Sequence, residues 1–195
     1  EMSKKSKSRV AQNNNRKLAR TKFWLLLFPI AALLIKFIVM ANSEAGGWLG
    51  ADGENYLTGV DGLLKDGFFS TSGTLSYWPS GYPILMWPFA ILFKNNAIPV
   101  VGITQSLIYF LACAFFVDKI TRTRLAKFSY FIALILAFNP TLSMNSIAIG
   151  YETLSASLII AGFAFLIPHF QSKDKKFLSR EVILNSTLFG FAIFM

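Results

Sequence analysis

Three acidic side chains in this chain could do chemistry. Asp52 and Glu54 lie two residues apart in Gly50-Ala-Asp52-Gly-Glu54-Asn-Tyr56-Leu, and Glu152 follows Gly150-Tyr151. Downstream of the first pair, Tyr77-Trp78-Pro79-Ser-Gly-Tyr82-Pro83 gathers aromatic side chains on a proline and glycine turn. Carboxylates so placed serve either catalysis or helix capping. Asp52 has the position of an N-cap, with Glu54 in the first turn behind it. Glu152 is the only acid between Asp118 and Asp174 and stands between two apolar runs. An acid at such a boundary is costly to desolvate, which makes it a functional residue by default. It also suits the positive end of a helix dipole, and the two roles are compatible.

The elements that must position these groups are apolar. Hydrophobic residues make up 54% of the 195-residue chain, 20 of them Phe, and charged residues only 15%. A soluble domain carries about 25% charged residues, so the deficit points to lipid. The net charge of +9 would suit nucleic acid, but the basic residues sit in short segments between apolar runs. That is the pattern of cytoplasmic loops, so no nucleic-acid partner is expected. Cys113 stands alone in an apolar run, which leaves no disulfide framework and no paired-cysteine metal motif.

Residues 1–22 hold eight basic side chains against one acid, with no apolar periodicity. They are expected to form a disordered cytoplasmic arm drawn to anionic headgroups. The transmembrane domain is expected over 23–195. Its first span, 23–40, exceeds the h-region of a cleaved signal peptide and is expected to be an uncleaved anchor. Lys36, near its outer end, is expected to snorkel toward water.

The outer loop, 41–96, then inverts the charge of the arm. Ala41 to Ser80 carries five acids and a single base, Lys65. Tyr56, Leu57, Val60, Leu63 and Leu64 mark an amphipathic helix ended by Gly67 and lying in the membrane interface. The twelve residues 82–93, broken by Pro83 and Pro88, suit an interfacial or re-entrant element better than a span. Later spans are expected at about 97–117, 128–149 (kinked at Asn139-Pro140), 153–170 and 182–195, the last cut short. This topology delivers Lys119, Arg122, Arg124 and Lys127 to the cytoplasm and Asp52, Glu54 and Glu152 to the outer face. The chain is therefore expected to be all-α, a polytopic transmembrane helical bundle with amphipathic juxtamembrane helices in its first outer loop. It reads as the N-terminal part of a longer module.

Asp52-x-x-x-Tyr56, Leu63-Leu64, Gly67 and the Tyr77 to Pro83 turn together resemble the first outer loop of GT-C class membrane glycosyltransferases. The resemblance is to the dolichyl-phosphate-mannose protein mannosyltransferase group and the bacterial lipid-A aminoarabinose transferases. Phe138-Asn-Pro140 and Tyr151-Glu152 are similar to the third helix and second outer loop of that class. The resemblance implies inverting transfer of a sugar from a polyprenyl-phosphate donor to an acceptor hydroxyl on a protein, lipid or glycan, outside the cytoplasmic membrane. Asp52 matches the family's first-loop aspartate, implied to be the general base. Glu152 falls where the family carries a second-loop acid. Here Gly53 follows the aspartate where many relatives have Glu, and Glu54 supplies the acid. Trp78 stands where the aminoarabinose transferases have another acid, so a divalent metal stays open and no other cofactor is implied.

Tyr77, Trp78 and Tyr82 either belong to an interfacial aromatic belt or stack on a sugar. Lys65 and Lys94 are the cations available outside for a leaving phosphate. Two other classes fit a polytopic chain. A transporter or flippase would place charged groups near the midplane of its spans, and a membrane assembly subunit would be indifferent to Asp52.

Overall fold

The structure, a computed structural model, describes residues 4–43, 52–68, 75, 80–171 and 180–194. Among these the regular elements are helices: α1 (Lys4–Ala41), α2 (Gly53–Asp66), α3 (Gly81–Phe93), α4 (Ala97–Ile120), α5 (Ser129–Phe138), α6 (Glu152–Gln171) and α7 (Arg180–Phe194). Two segments, Phe23–Ala41 and Gly81–Ile120, are long and apolar enough to cross a membrane. Leu34, Leu111, Phe131 and Ile193 are among many large apolar side chains left exposed on the outside of the bundle. That amount of exposed apolar surface marks a lipid or partner contact, not a wetted face.

The second segment is folded on itself. If α3 and α4 were collinear, the 23 residues between Tyr82 and Gln105 would separate them by about 34 Å. Instead the Tyr82 hydroxyl donates to Gln105 Oε1 at 2.9 Å. The reversal occurs over a 3₁₀ turn, Lys94–Asn96, where Lys94 takes a φ of 49° that non-glycine residues adopt only at a cost. With α3 turned back, α4 alone has the length of a crossing: 24 residues, or about 36 Å.

α4 is the hub, packing against α1, α3, α5 and α6. One apolar cluster gathers around its first turns (Tyr56, Val60, Tyr82, Met86, Val101 and Ile149). Another forms around its last turns (Leu25, Val117 and Ala133). Val101 and Val117 are about 24 Å apart along the helix, so these clusters define two ends. The acids at 52 and 152 belong to the first end, and Lys119, Arg122, Arg124 and Lys127 to the second.

The structure departs from the sequence pattern in four places. The basic arm does not stay unstructured: α1 begins at Lys4 and runs without interruption into the apolar segment. Lys, Arg, Gln, Ala and Leu are good helix formers, and an existing helix extends at little cost because its nucleus is already made. Lys36 does not snorkel. It is 2% exposed and lines, with Ala32, Tyr109, Cys113 and Ser143, a cavity of only about 10 Å³. Its ammonium lies 5.0 Å from the centre of the Tyr109 ring, a cation–π contact that replaces water.

The helix expected to kink at Asn139-Pro140 ends there. A residue before proline is pushed out of the helical region, and Asn139 sits at φ −60°, ψ 118°. Its side chain then accepts from the Leu142 N–H at 2.8 Å, closing a turn. The chain continues as a 3₁₀ turn, Met144–Ile147, laid against α4, with Ile147 over Gly102 and Ser146 bonded to Ser106 at 2.9 Å.

Finally, α2 spends its apolar face on protein. Tyr56, Val60 and Leu63 are buried, and Gly59 lets Pro83 of α3 come so close that a Cβ would sit 3.0 Å from the proline ring. The period and the Gly67 terminus of α2, at φ 75°, are as its sequence indicates.

Candidate functional site

α2 carries Asp52 at its N-cap and Tyr56 one turn later on the same face. The Asp52 backbone carbonyl accepts from the N–H groups of Asn55 at 3.1 Å and Tyr56 at 3.3 Å. Its carboxylate makes no capping hydrogen bond. The helix start is thus carried by the backbone, and the carboxylate is left for other use.

Tyr56 is wholly buried and organises what meets it. Its ring packs edge-on against Tyr82, centroids 5.0 Å apart at 71°, and against Tyr151 at 6.2 Å and 75°. Burial raises the pKa of its phenol well above the usual tyrosine range, and the negative charges of Glu152 and Asp52 push in the same direction, as does Tyr151. The phenol therefore stays a neutral donor.

Raised in the folded state, the Tyr56 pKa adds stability below about pH 10 that is lost as pH climbs above that value. In an alkaline melting series, Tyr56→Phe is expected to flatten part of that loss. A slope identical to that of the native chain would mean that the phenol ionises as freely folded as unfolded.

Tyr82 ties three segments together. Its hydroxyl donates to Gln105 Oε1 of α4 and accepts from the Gly150 N–H at 3.1 Å. The Gln105 amide donates in turn to the Ala148 carbonyl at 3.0 Å. The segment that delivers Tyr151 and Glu152 is thereby fixed to both α3 and α4. Glu152 opens α6 and is exposed, its carboxylate folded over Gly150 so that a Cβ there would collide with Oε2. A side chain at 150 would therefore displace the flexible end of Glu152.

The structure thus brings Asp52, Tyr56, Tyr82, Tyr151 and Glu152 to one end of the bundle. The other sequence candidates lie elsewhere. Glu54 is exposed on the first turn of α2. Lys65 is exposed at the far end of α2, about 13 Å along the axis from Tyr56. Lys94 is exposed on the α3–α4 turn. Tyr77 and Trp78 fall outside the described residues.

Gln105 and Gly150 were not among the expected site residues. The available signal was polarity: Thr104-Gln105-Ser106 interrupts an apolar run, where a polar side chain must find a partner. Among the described residues no three His, Cys, Asp or Glu side chains gather to hold a metal. No protein-family model, curated protein or solved structure matches this chain.

Proposed function

We propose that this chain belongs to a multi-pass integral-membrane glycosyltransferase. It moves a sugar from a polyprenyl-phosphate donor to an acceptor hydroxyl on the non-cytoplasmic face, with its N-terminus in the cytoplasm. The observation that carries this reading is the convergence on Tyr56 of Asp52 and Glu152, a hundred residues apart in sequence. They lie at the end of α4 opposite the basic turns, as a site outside the positively charged side of a membrane requires.

In the proposed reaction the acceptor oxygen attacks the anomeric carbon as Asp52 takes its proton. The bond from that carbon to the phosphate oxygen breaks, the polyprenyl phosphate leaves with the electron pair, and the configuration inverts. Glu152 orients the acceptor, and the neutral Tyr56 phenol shapes the floor beside both carboxylates. The test is sugar transfer in membranes carrying the native chain, Asp52→Asn or Glu152→Gln. Transfer that survives both changes at equal expression sinks the proposal.

One observation favours a second reading. Lys36 is a buried charge inside an apolar helix, the feature expected of a transporter or flippase. The two readings part at Lys36→Met. Methionine fills the same volume without the charge, so the fold is expected to hold and its melting temperature to stay level or rise. Under the glycosyltransferase reading sugar transfer is then unchanged. Loss of lipid-linked substrate movement across vesicles, with transfer chemistry intact, would instead select the transporter.

A further inference from the structure

We infer that the basic end of the bundle holds a binding site for one anionic phospholipid, between α4, α6 and α7. It stands on different residues from the transfer site and does not depend on what the acidic end does.

The site is a groove of about 310 Å³ lined by Lys119, Phe165, Pro168, Arg180 and Leu184. Lys119 and Arg180 reach it from different helices, α4 and α7, and among the described residues neither forms an ion pair. This distinguishes them from Arg122, whose guanidinium is 2.9 Å from Asp118 and so already neutralised.

Lys119 is held in place. Its ammonium lies 5.0 Å from the Phe115 ring, and Phe115 packs at 4.9 Å on Phe165, itself a wall of the groove. A cation seated on a packed aromatic pair loses less freedom on binding than one at the tip of a solvated stem.

Further along, α6 and α7 are locked by Gly162 against Asn185 and Phe189, and by Ser155 bonding the Ala192 carbonyl at 3.0 Å. The groove opens beyond these contacts, where α7 begins. Two cations over apolar walls complement a phosphate attached to acyl chains. A free phosphate would leave Phe165, Pro168 and Leu184 facing water, and a zwitterionic headgroup brings its own cation against Lys119 and Arg180. The groove therefore selects an anionic lipid.

The test uses the full chain in detergent, with native mass spectrometry reading bound lipid as phosphatidylglycerol or phosphatidylcholine is added. Phosphatidylglycerol is expected to bind at one site in preference to phosphatidylcholine. Lys119→Gln/Arg180→Gln is expected to weaken it about 30-fold, from roughly fivefold per cation. Leu184→Trp, which fills the groove and keeps both charges, is expected to weaken it as well. Lys94→Gln/Lys127→Gln, equal in charge but away from the groove, is expected to leave it intact.

Equal binding of the two lipids overturns the inference. So does equal loss in the two charge-matched variants, which would make the effect one of general surface charge. Competition by glycerol phosphate at the same concentration also overturns it, because the site would then take phosphate without lipid. Sugar transfer lost or retained in these variants has no bearing on the outcome.

Discussion

Asp52→Asn is expected to lower sugar transfer by about 10²–10⁴-fold, the usual worth of a general base, while leaving the fold in place. The substitution separates the two roles open to this residue. Asparagine caps a helix as well as aspartate does, and the start of α2 is held by the Asp52 carbonyl and not by its side chain. Stability should therefore change by less than about 0.5 kcal/mol, as for an uncommitted surface position. Only the charge and the proton-accepting oxygen are lost.

The measurement is transfer from a polyprenyl-phosphate sugar pool in membranes, normalised to inserted protein, beside a melting curve of each purified chain. A large loss of transfer with an unmoved melting temperature assigns the base. Full transfer returns Asp52 to a backbone role, and the buried charge of Lys36 then becomes the leading functional feature. A fall in melting temperature equal to the fall in transfer would mean that the carboxylate holds the aromatic cluster together.

What could be read ahead of the structure was local. The apolar stripe of α2 and its glycine terminus depend on residues within one or two turns of each other, and both appear where the sequence places them. The segment 82–93 forms a short helix of its own, but Pro83 and Pro88, expected to interrupt it, lie within that helix, and the break from α4 comes at Lys94–Asn96. The misreadings share a cause. At Asn139-Pro140 the proline signal was present, but whether a helix resumes beyond it depends on what the freed backbone meets. Here the following turn finds Gly102 and Ser106 of α4.

Lys36 was expected at a water boundary because helix length sets only its depth, not its azimuth. Tyr109, in another helix, decides that it faces inward. The basic arm looked disordered by composition, yet composition weighs solubility and not the extension of a helix already nucleated next door. The candidate site divides in the same way. Asp52, Tyr56 and Glu152 announce themselves by type and spacing. Gln105 and Gly150 matter through bonds spanning 23 and 68 residues, which no window contains.

Tyr82→Phe tests those long-range bonds and carries the largest expected cost in stability. The ring would keep its edge-on contact with Tyr56, so the loss isolates the hydroxyl. Removing it strands a buried acceptor, Gln105 Oε1, and a buried donor, the Gly150 N–H. An unsatisfied buried group costs about 1–3 kcal/mol, so the pair predicts a loss of about 2–6 kcal/mol. Gln105→Leu in the same background removes the stranded Oε1 but leaves the Ala148 carbonyl without its donor, and Gly150 stays stranded, so little of the loss is recovered.

A double-mutant cycle on Tyr82 and Gln105 is therefore expected to give a coupling above about 0.5 kcal/mol, the level at which residues in one network depart from additivity. The two costs also separate in function. Releasing Gly150 frees the turn that presents Glu152, so transfer should fall even below the melting transition, where the chain is still folded. Additive substitutions with an unshifted melting temperature would mean that water replaces the Tyr82 hydroxyl at no cost. The acidic end would then be an open, hydrated surface, unable to hold two carboxylates in fixed register with a sugar.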